Sequence, residues 1–265
     1  MTELLAQIAA LLDITQGFLW VAVLVFLRVG AVVSLLPAIG EQSVPQRVKL
    51  AVVLAFTAIV APVVAAGPLA GLTGTGLGAI SFAAMGVEVV AGLILGVGLR
   101  MFVLVLQTAA SIIAQATTLS QLFAGAAPDP QPAIGNLFII AGLALAVTAG
   151  LHVRAAELMI LSYDILPQGR LPAAADVADW GLSLISSTFS LAFSLSAPFV
   201  IASMIYNMAL GAINRAMPQL MVSMVGAPAL TLGALAMLVV ATPVLLTVWL
   251  EAFGAHLAHP FAAPP

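Results

Sequence analysis

Long apolar blocks separated by short polar turns set the pattern of the chain. Phe18–Ala38, Val48–Ala66, some forty residues from Ile80, Ile134–Leu151, a run opening at Trp180 and Leu230–Leu250 form the blocks. About 20 apolar residues in a helix cross a hydrocarbon layer of roughly 30 Å, so each is long enough or nearly so. The pattern predicts an all-α membrane protein with about six hydrophobic helical segments. Ahead of the first block, Leu4, Leu5, Ile8, Leu11 and Leu12 recur at helical spacing, which predicts an amphipathic helix over residues 1–17. Glu3 and Asp13 stand where a cleaved signal peptide would carry basic residues, so none is expected.

The third block turns polar on one side. At about 100° per residue, Arg100, Gln107, Ser111, Gln115 and Thr118 share an arc narrower than a quarter turn, and Gly92 and Gly96 continue it upstream. Such a face suits either close helix packing or the lining of a wet path, and periodicity does not choose between them. From Ser120 the helical pattern gives way to glycine, alanine and the prolines Pro128, Pro130 and Pro132. A polar helix face running into a short segment of small residues suits a closable passage. The spacing-three-and-four serines Ser183, Ser187, Ser190 and Ser194 mark a second narrow face, and packing is the commoner use of one. Pro198 is expected to kink the helix beyond them, and Met217, Met221 and Met224 suit an ordinary core better than a deformable seal.

Composition agrees with the blocks: 63% of the 265 residues are hydrophobic, 6% are charged and the mean hydropathy is +1.23. A soluble domain carries roughly a quarter charged residues, so this is an integral membrane protein. The absence of cysteine excludes disulfides, thiolate metal sites and cysteine nucleophiles. A net charge of −3 with dispersed basic residues gives no footprint for nucleic acid. No His, Asp and Glu set has ligand or catalytic spacing, so neither an enzyme nor a cofactor is expected. Gly67–Gly78 is rich in glycine but lacks the lysine that a phosphate loop needs.

Scarce charges inside apolar blocks are costly and therefore informative. Arg28, Glu88 and Arg100 are the candidate buried charges, and Arg28 needs a carboxylate, carbonyls or water. Glu88 is the candidate partner of Arg28 or Arg100. The turn with Arg47 and Lys49 is the clearest basic loop and predicts a cytoplasmic side. Simple alternation then puts the connector carrying His152, Arg154, Glu157, Asp164 and Arg170 outside, against its own basic residues. Either the long third run is not one plain span, or the chain departs from ordinary bilayer topology, with apolar surface buried against other subunits instead of lipid. His152 suits a helix-end hydrogen bond better than a proton relay. A secondary transporter of a small solute or proton, using Arg28, Glu88, Arg100 and His152, is the alternative the charges leave open.

Several stretches resemble the FliR family, the flagellar export-gate proteins of type III secretion. Phe26–Leu50 carries the resemblance through Arg28, Gly30, Pro37, Gly40, Pro45, Arg47 and Lys49. Glu88, Gly92, Gly96, Arg100 and Gln107 continue it, followed by Ser162-Tyr163, Leu166-Pro167 and Gly169. Asn207, Leu210-Gly211, Asn214-Arg215 and Pro218-Gln219 resemble the family's carboxy-terminal signature. The central loop departs from the usual wording, reaching Asp129-Pro130 only after extra alanine and glycine.

The resemblance implies tilted helical hairpins packed into a helical hetero-oligomeric export gate. It implies one domain over 1–265: the amphipathic helix 1–17, helices over 18–117, a central plug loop over 118–132, helices over 133–255 and a flexible tail over 256–265. The implied plug is Thr118, Leu119, Ser120, Gln121, Leu122, Phe123, Ala124, Gly125 and Ala126, approached by the stripe Arg100, Gln107, Ser111 and Gln115. The implied partners are FliP-type and FliQ-type subunits, FlhB-type and FlhA-type export components, membrane lipid and unfolded flagellar proteins in transit. The implied place is the bacterial inner membrane at the flagellar basal body, as a multi-pass component required for flagellum assembly.

Overall fold

A computed structural model describes residues 2–69, 82–116, 133–216 and 222–262. These form seven helices: α1 Thr2–Leu35, α2 Gln46–Ala66, α3 Phe82–Ala116, α4 Ala133–Thr148, α5 Leu151–Ile165, α6 Ala174–Ala216 and α7 Val222–Ala258. Five of them are long and apolar enough to cross a membrane, and α4 with α5 makes a sixth if the two are one broken span. The chain is an all-helical, multi-pass membrane protein. Two compact units divide the described residues: those within 1–100, 149–181 and 255–262 form the first, and those within 101–148 and 182–254 the second.

In the first unit, α1 buries Val21, Leu24, Val25, Val29 and Val32 at spacings of three and four, one apolar face of a helix. Pro37 disfavours helical geometry at the residue before it, and α1 stops at Leu35. Ala38 takes a left-handed φ of 68°, and the Gly40 amide donates to Leu36 O at 2.7 Å, folding the turn back onto the helix end. A Cβ on Gly40 would stand 2.6 Å from Ser34 O, so the turn admits only glycine there. Pro45 supplies an extended residue ahead of α2, which packs on α1 and on α5. Val53, Phe56, Thr57, Val60, Ala61 and Val64 are its buried face, while Val48, Leu54, Ile59 and Val63 face outward.

Helices α1 and α3 run in the same direction. Gly92 lies against the Arg28 carbonyl and Ala31, Gly96 against Ala31 and Leu35, and Arg100 against Glu41 beyond the end of α1. The contacts advance together along both chains. Glu88, Gly92, Gly96 and Arg100 recur every four residues and so make one face of α3. Packing of this kind needs small residues where backbones approach closely, and the two glycines provide them.

In the second unit, Trp249 on α7 is fully buried and donates its indole N–H to Phe102 O on α3 at 2.8 Å. The Phe253 ring lies 5.3 Å from that of Trp249 and 5.4 Å from that of Phe102. Gly142 on α4 accepts the tip of Leu106: a Cβ there would stand 2.5 Å from Leu106 Cδ1. Leu184, Thr188, Ala192, Leu195, Ser196, Phe199 and Ser203 are the buried positions of α6. Each buried hydroxyl among them bonds a carbonyl of its own helix, at 2.8–3.1 Å.

Four features depart from the sequence reading. The amphipathic helix and first span are one helix, because nothing between Asp13 and Phe18 obstructs the helical hydrogen bonds. The polar connector after Leu151 is mostly α5, with Leu151, Ala155, Leu158, Met159 and Ser162 buried and Arg154 and Asp164 exposed. Gly150, at a φ of 87°, separates it from α4. Helix α6, which contains Pro198, opens six residues before Trp180. Finally, the tail expected to be flexible from His256 is helical to Ala258, and Pro260 and Phe261 beyond it contact Trp180.

Replacing Gly92 with valine is expected to cost about 1–3 kcal/mol by overpacking α1 against α3. Gly86 has open space around it, so Gly86→Ala should be neutral or slightly stabilising. Thermal unfolding of the two variants in detergent checks the difference.

Candidate functional site

The candidate site is built from charges the apolar helices cannot leave unpaired. Arg28, on the buried face of α1, and Glu88, on α3, are both fully buried. Arg28 Nε donates to Glu88 Oε2 at 2.7 Å, and Nη2 donates to Glu88 Oε1 at 3.2 Å, a bidentate pair. Nη1 donates to Ser162 Oγ at 3.1 Å, and Nη2 donates a second bond to Leu166 O at 2.9 Å. Ser162 Oγ in turn donates to Met159 O at 2.7 Å. The guanidinium carbon stands 3.7 Å from the centre of the Tyr163 ring, so its π face meets an aromatic surface. Four of the five N–H groups of Arg28 therefore have partners, which only the planar arginine fork can arrange.

Leu166 is the residue at which α5 ends, and the arginine meets its carbonyl where helix carbonyls lack intrahelical donors. A cation at that end also opposes the negative pole of the helix. Arg28 thus joins three helices: α1 carries it, α3 neutralises it and α5 is capped by it. The Tyr163 hydroxyl is buried beside Glu88 without reaching hydrogen-bonding geometry among the described residues.

Arg100 has a different partner. Its Nη1 donates to Glu41 in the turn between α1 and α2, and the two side chains are 30% and 24% exposed. Lys49 Nζ donates to Gly40 O at 3.0 Å in the same turn. Arg100 is therefore a half-buried charge on the face that follows α1, not a fully buried one. Gln107, the next member of the polar stripe, is half-buried, and Ser111 and Gln115 are exposed on the isolated chain. Ser111 Oγ donates to Gln107 O at 2.8 Å, turning its hydroxyl back to its own helix. Thr118 and the whole plug segment 118–126 lie outside the described residues. His152 is exposed in the first turn of α5. Among the described residues no three His, Asp or Glu side chains gather as metal ligands.

Sequence reasoning missed Glu41, Ser162, Tyr163 and Leu166 as partners. Glu41 sits in a turn and gave no helical register, whereas Ser162-Tyr163 and Leu166 had been singled out only by resemblance. The signal available was the spacing of Leu151, Ala155, Leu158 and Ser162, which places Ser162 on the buried face of a helix.

Removing one partner of a buried pair leaves the other unsatisfied, so Arg28→Leu and Glu88→Leu should each cost about 3–5 kcal/mol. The double substitution should cost far less than their sum. Arg100→Ala and Glu41→Ala, at a partly exposed pair, should each cost about 1 kcal/mol or less. A double-mutant cycle on each pair, read by detergent-phase unfolding, checks the contrast.

Comparison with known proteins accounts for nearly the whole chain. The profile of the family described as "Bacterial export proteins, family 1" matches residues 19–256. The flagellar biosynthetic protein FliR of Caulobacter vibrioides is 33% identical over 238 residues, covering 88% of this chain and 93% of the relative. The flagellar biosynthetic protein FliR of Escherichia coli K12 is 29% identical over 216 residues, covering 78% of each. The match takes in both arginine–glutamate pairs and part or all of every described helix, and the chain belongs to the FliR family of bacterial export proteins.

Proposed function

We propose that this chain is a non-enzymatic subunit of the flagellar type III export gate. In that role it forms part of the channel through which unfolded flagellar subunits cross the bacterial inner membrane. The observation that carries the reading is the exposed apolar surface of α6. Leu182, Phe189, Phe193, Ile201, Met204, Ile205, Met208 and Ile213 are exposed along it, from 44% to 70%. From Leu182 to Ile213 this band is about 46 Å long at 1.5 Å per residue, against roughly 30 Å of hydrocarbon. Fitting it into lipid needs a tilt near 50°, beyond the roughly 40° limit seen for membrane helices. Other subunits are the covering that remains. FliP-type and FliQ-type partners, with FlhB-type and FlhA-type components nearby, fit the family and supply such surfaces.

The charges favour a scaffold over a solute site. Arg28 and Glu88 bond one another, and Arg100 bonds Glu41. His152 is exposed. A transporter would need some of these groups to meet its solute, and three of the four already have partners within the chain.

Gating in this reading is steric. The segment from Thr118 to Ala127, led by the polar face ending in Gln115, closes the passage in the absence of substrate and is pushed aside when an unfolded chain enters. Small residues suit that task because they seal closely and present little side-chain bulk to displace. Energy for transport comes from other components. Deleting residues 119–126 is expected to leave assembly with the partner subunits intact, judged by co-purification, while raising the ion permeability of the cells. Unaltered permeability in an assembled deletion variant would refute the plug.

A further inference from the structure

Trp180 lies near the start of α6, and its neighbours come from distant parts of the chain. Its indole N–H donates to Pro260 O at 2.8 Å across 80 residues of sequence. Its ring and that of Phe261 are 5.5 Å apart between centroids, tilted by 45°. Gly98 of α3 is a further neighbour: a Cβ there would stand 3.3 Å from Trp180 Cζ2 and 2.8 Å from His256 Nε2. The start of α6, the middle of α3, the last turn of α7 and the residues after it therefore meet at one place, all within the first unit.

Local chemistry shapes the segment that reaches Trp180. The His259 amide still donates to Ala255 O at 2.9 Å, continuing the helical pattern. Pro260 has no amide proton and its ring excludes further helix, so the chain turns there. The Ala262 amide donates to His259 O at 3.2 Å and closes that turn. Pro260 is buried and its carbonyl, free of any helical donor, is the acceptor the indole takes.

The geometry points to residues 256–262 being a clasp that fastens the ends of α6 and α7 against α3, with Trp180 as its receptor and Gly98 as the gap that admits it. This goes beyond the export reading and does not rest on it. Because Pro260 and Phe261 follow everything they bind, the clasp forms only after Gly98, Trp180 and His256 have been made. A chain lacking them has α6 and α7 inserted but untied at this end. The indole donor and the phenyl ring are separable parts of the lock: one fixes the backbone of the segment, the other fills the space beside the ring.

Hydrogen–deuterium exchange on the full chain in detergent tests it. The variants are Trp180→Phe, which keeps a ring and loses the donor, Phe261→Ala, and a chain stopped after Ala258. Amides of residues 178–184 and 254–258 should exchange roughly tenfold faster or more in the stopped chain, with each single substitution intermediate. Amides of α2 should keep their wild-type rates. Unchanged exchange around Trp180, or an increase of equal size in α2, would overturn the clasp. If the stopped chain does not accumulate, the two substitutions decide, since both leave the backbone whole.

Discussion

A guanidinium buried among apolar helices must find acceptors for nearly all its protons, and that requirement organises the first unit. Arg28 finds a carboxylate on α3, a hydroxyl on α5 and the carbonyl that ends α5. Each partner constrains the helix that bears it. For Glu88 to reach Arg28, α3 must approach α1 closely, and Gly92, one turn further along the same face, is where its backbone meets the Arg28 carbonyl. For the Leu166 carbonyl to be the acceptor, α5 must stop there, and Pro167 with Gly169 at a φ of 72° makes it stop. Charge, glycine and proline are three parts of one arrangement.

The same face of α3 ends at Arg100 and Glu41, so its two arginine–glutamate pairs differ in kind. The inner one is dry and its loss strands a charge. The outer one is partly solvated and works with the Lys49–Gly40 bond to hold the turn between α1 and α2. Together they fix the parallel register of α1 and α3 at both ends. The second unit relies on shape in place of charge: an indole donor on a helix carbonyl, three aromatic rings in contact and a glycine that receives a leucine tip. Its surface is correspondingly apolar, and α6 carries exposed apolar side chains from Leu182 to Ile213.

Much of this was legible from residues. Block lengths gave the helical membrane class, because hydropathy is a property of composition and survives without coordinates. Scarcity of charge pointed from Arg28 to Glu88, since so few other groups were available to it. Gly92 and Gly96 at four-residue spacing signalled a close helix contact. Harder to see was α5, whose exposed Arg154 and Asp164 drew attention away from its buried positions. The partner of Arg100 was hidden because a turn has no period from which to place Glu41. The segment after Ala258 read as a loose tail for the opposite reason: prolines that stop a helix also position a carbonyl, and its receptor lies 80 residues back. The stripe Gln107, Ser111 and Gln115 is half-buried to exposed, while the segment it leads into lies outside the described residues.

The outward band of α6 is the most direct place to test whether this chain is built for protein neighbours. Photoreactive residues placed one at a time at Phe189, Phe193, Ile201 and Ile205, activated in native membranes, read what lies against each position. Adducts with other membrane proteins are expected at all four. Adducts with lipid alone, from a chain recovered as a stable single species, would contradict the proposal that other subunits cover this face.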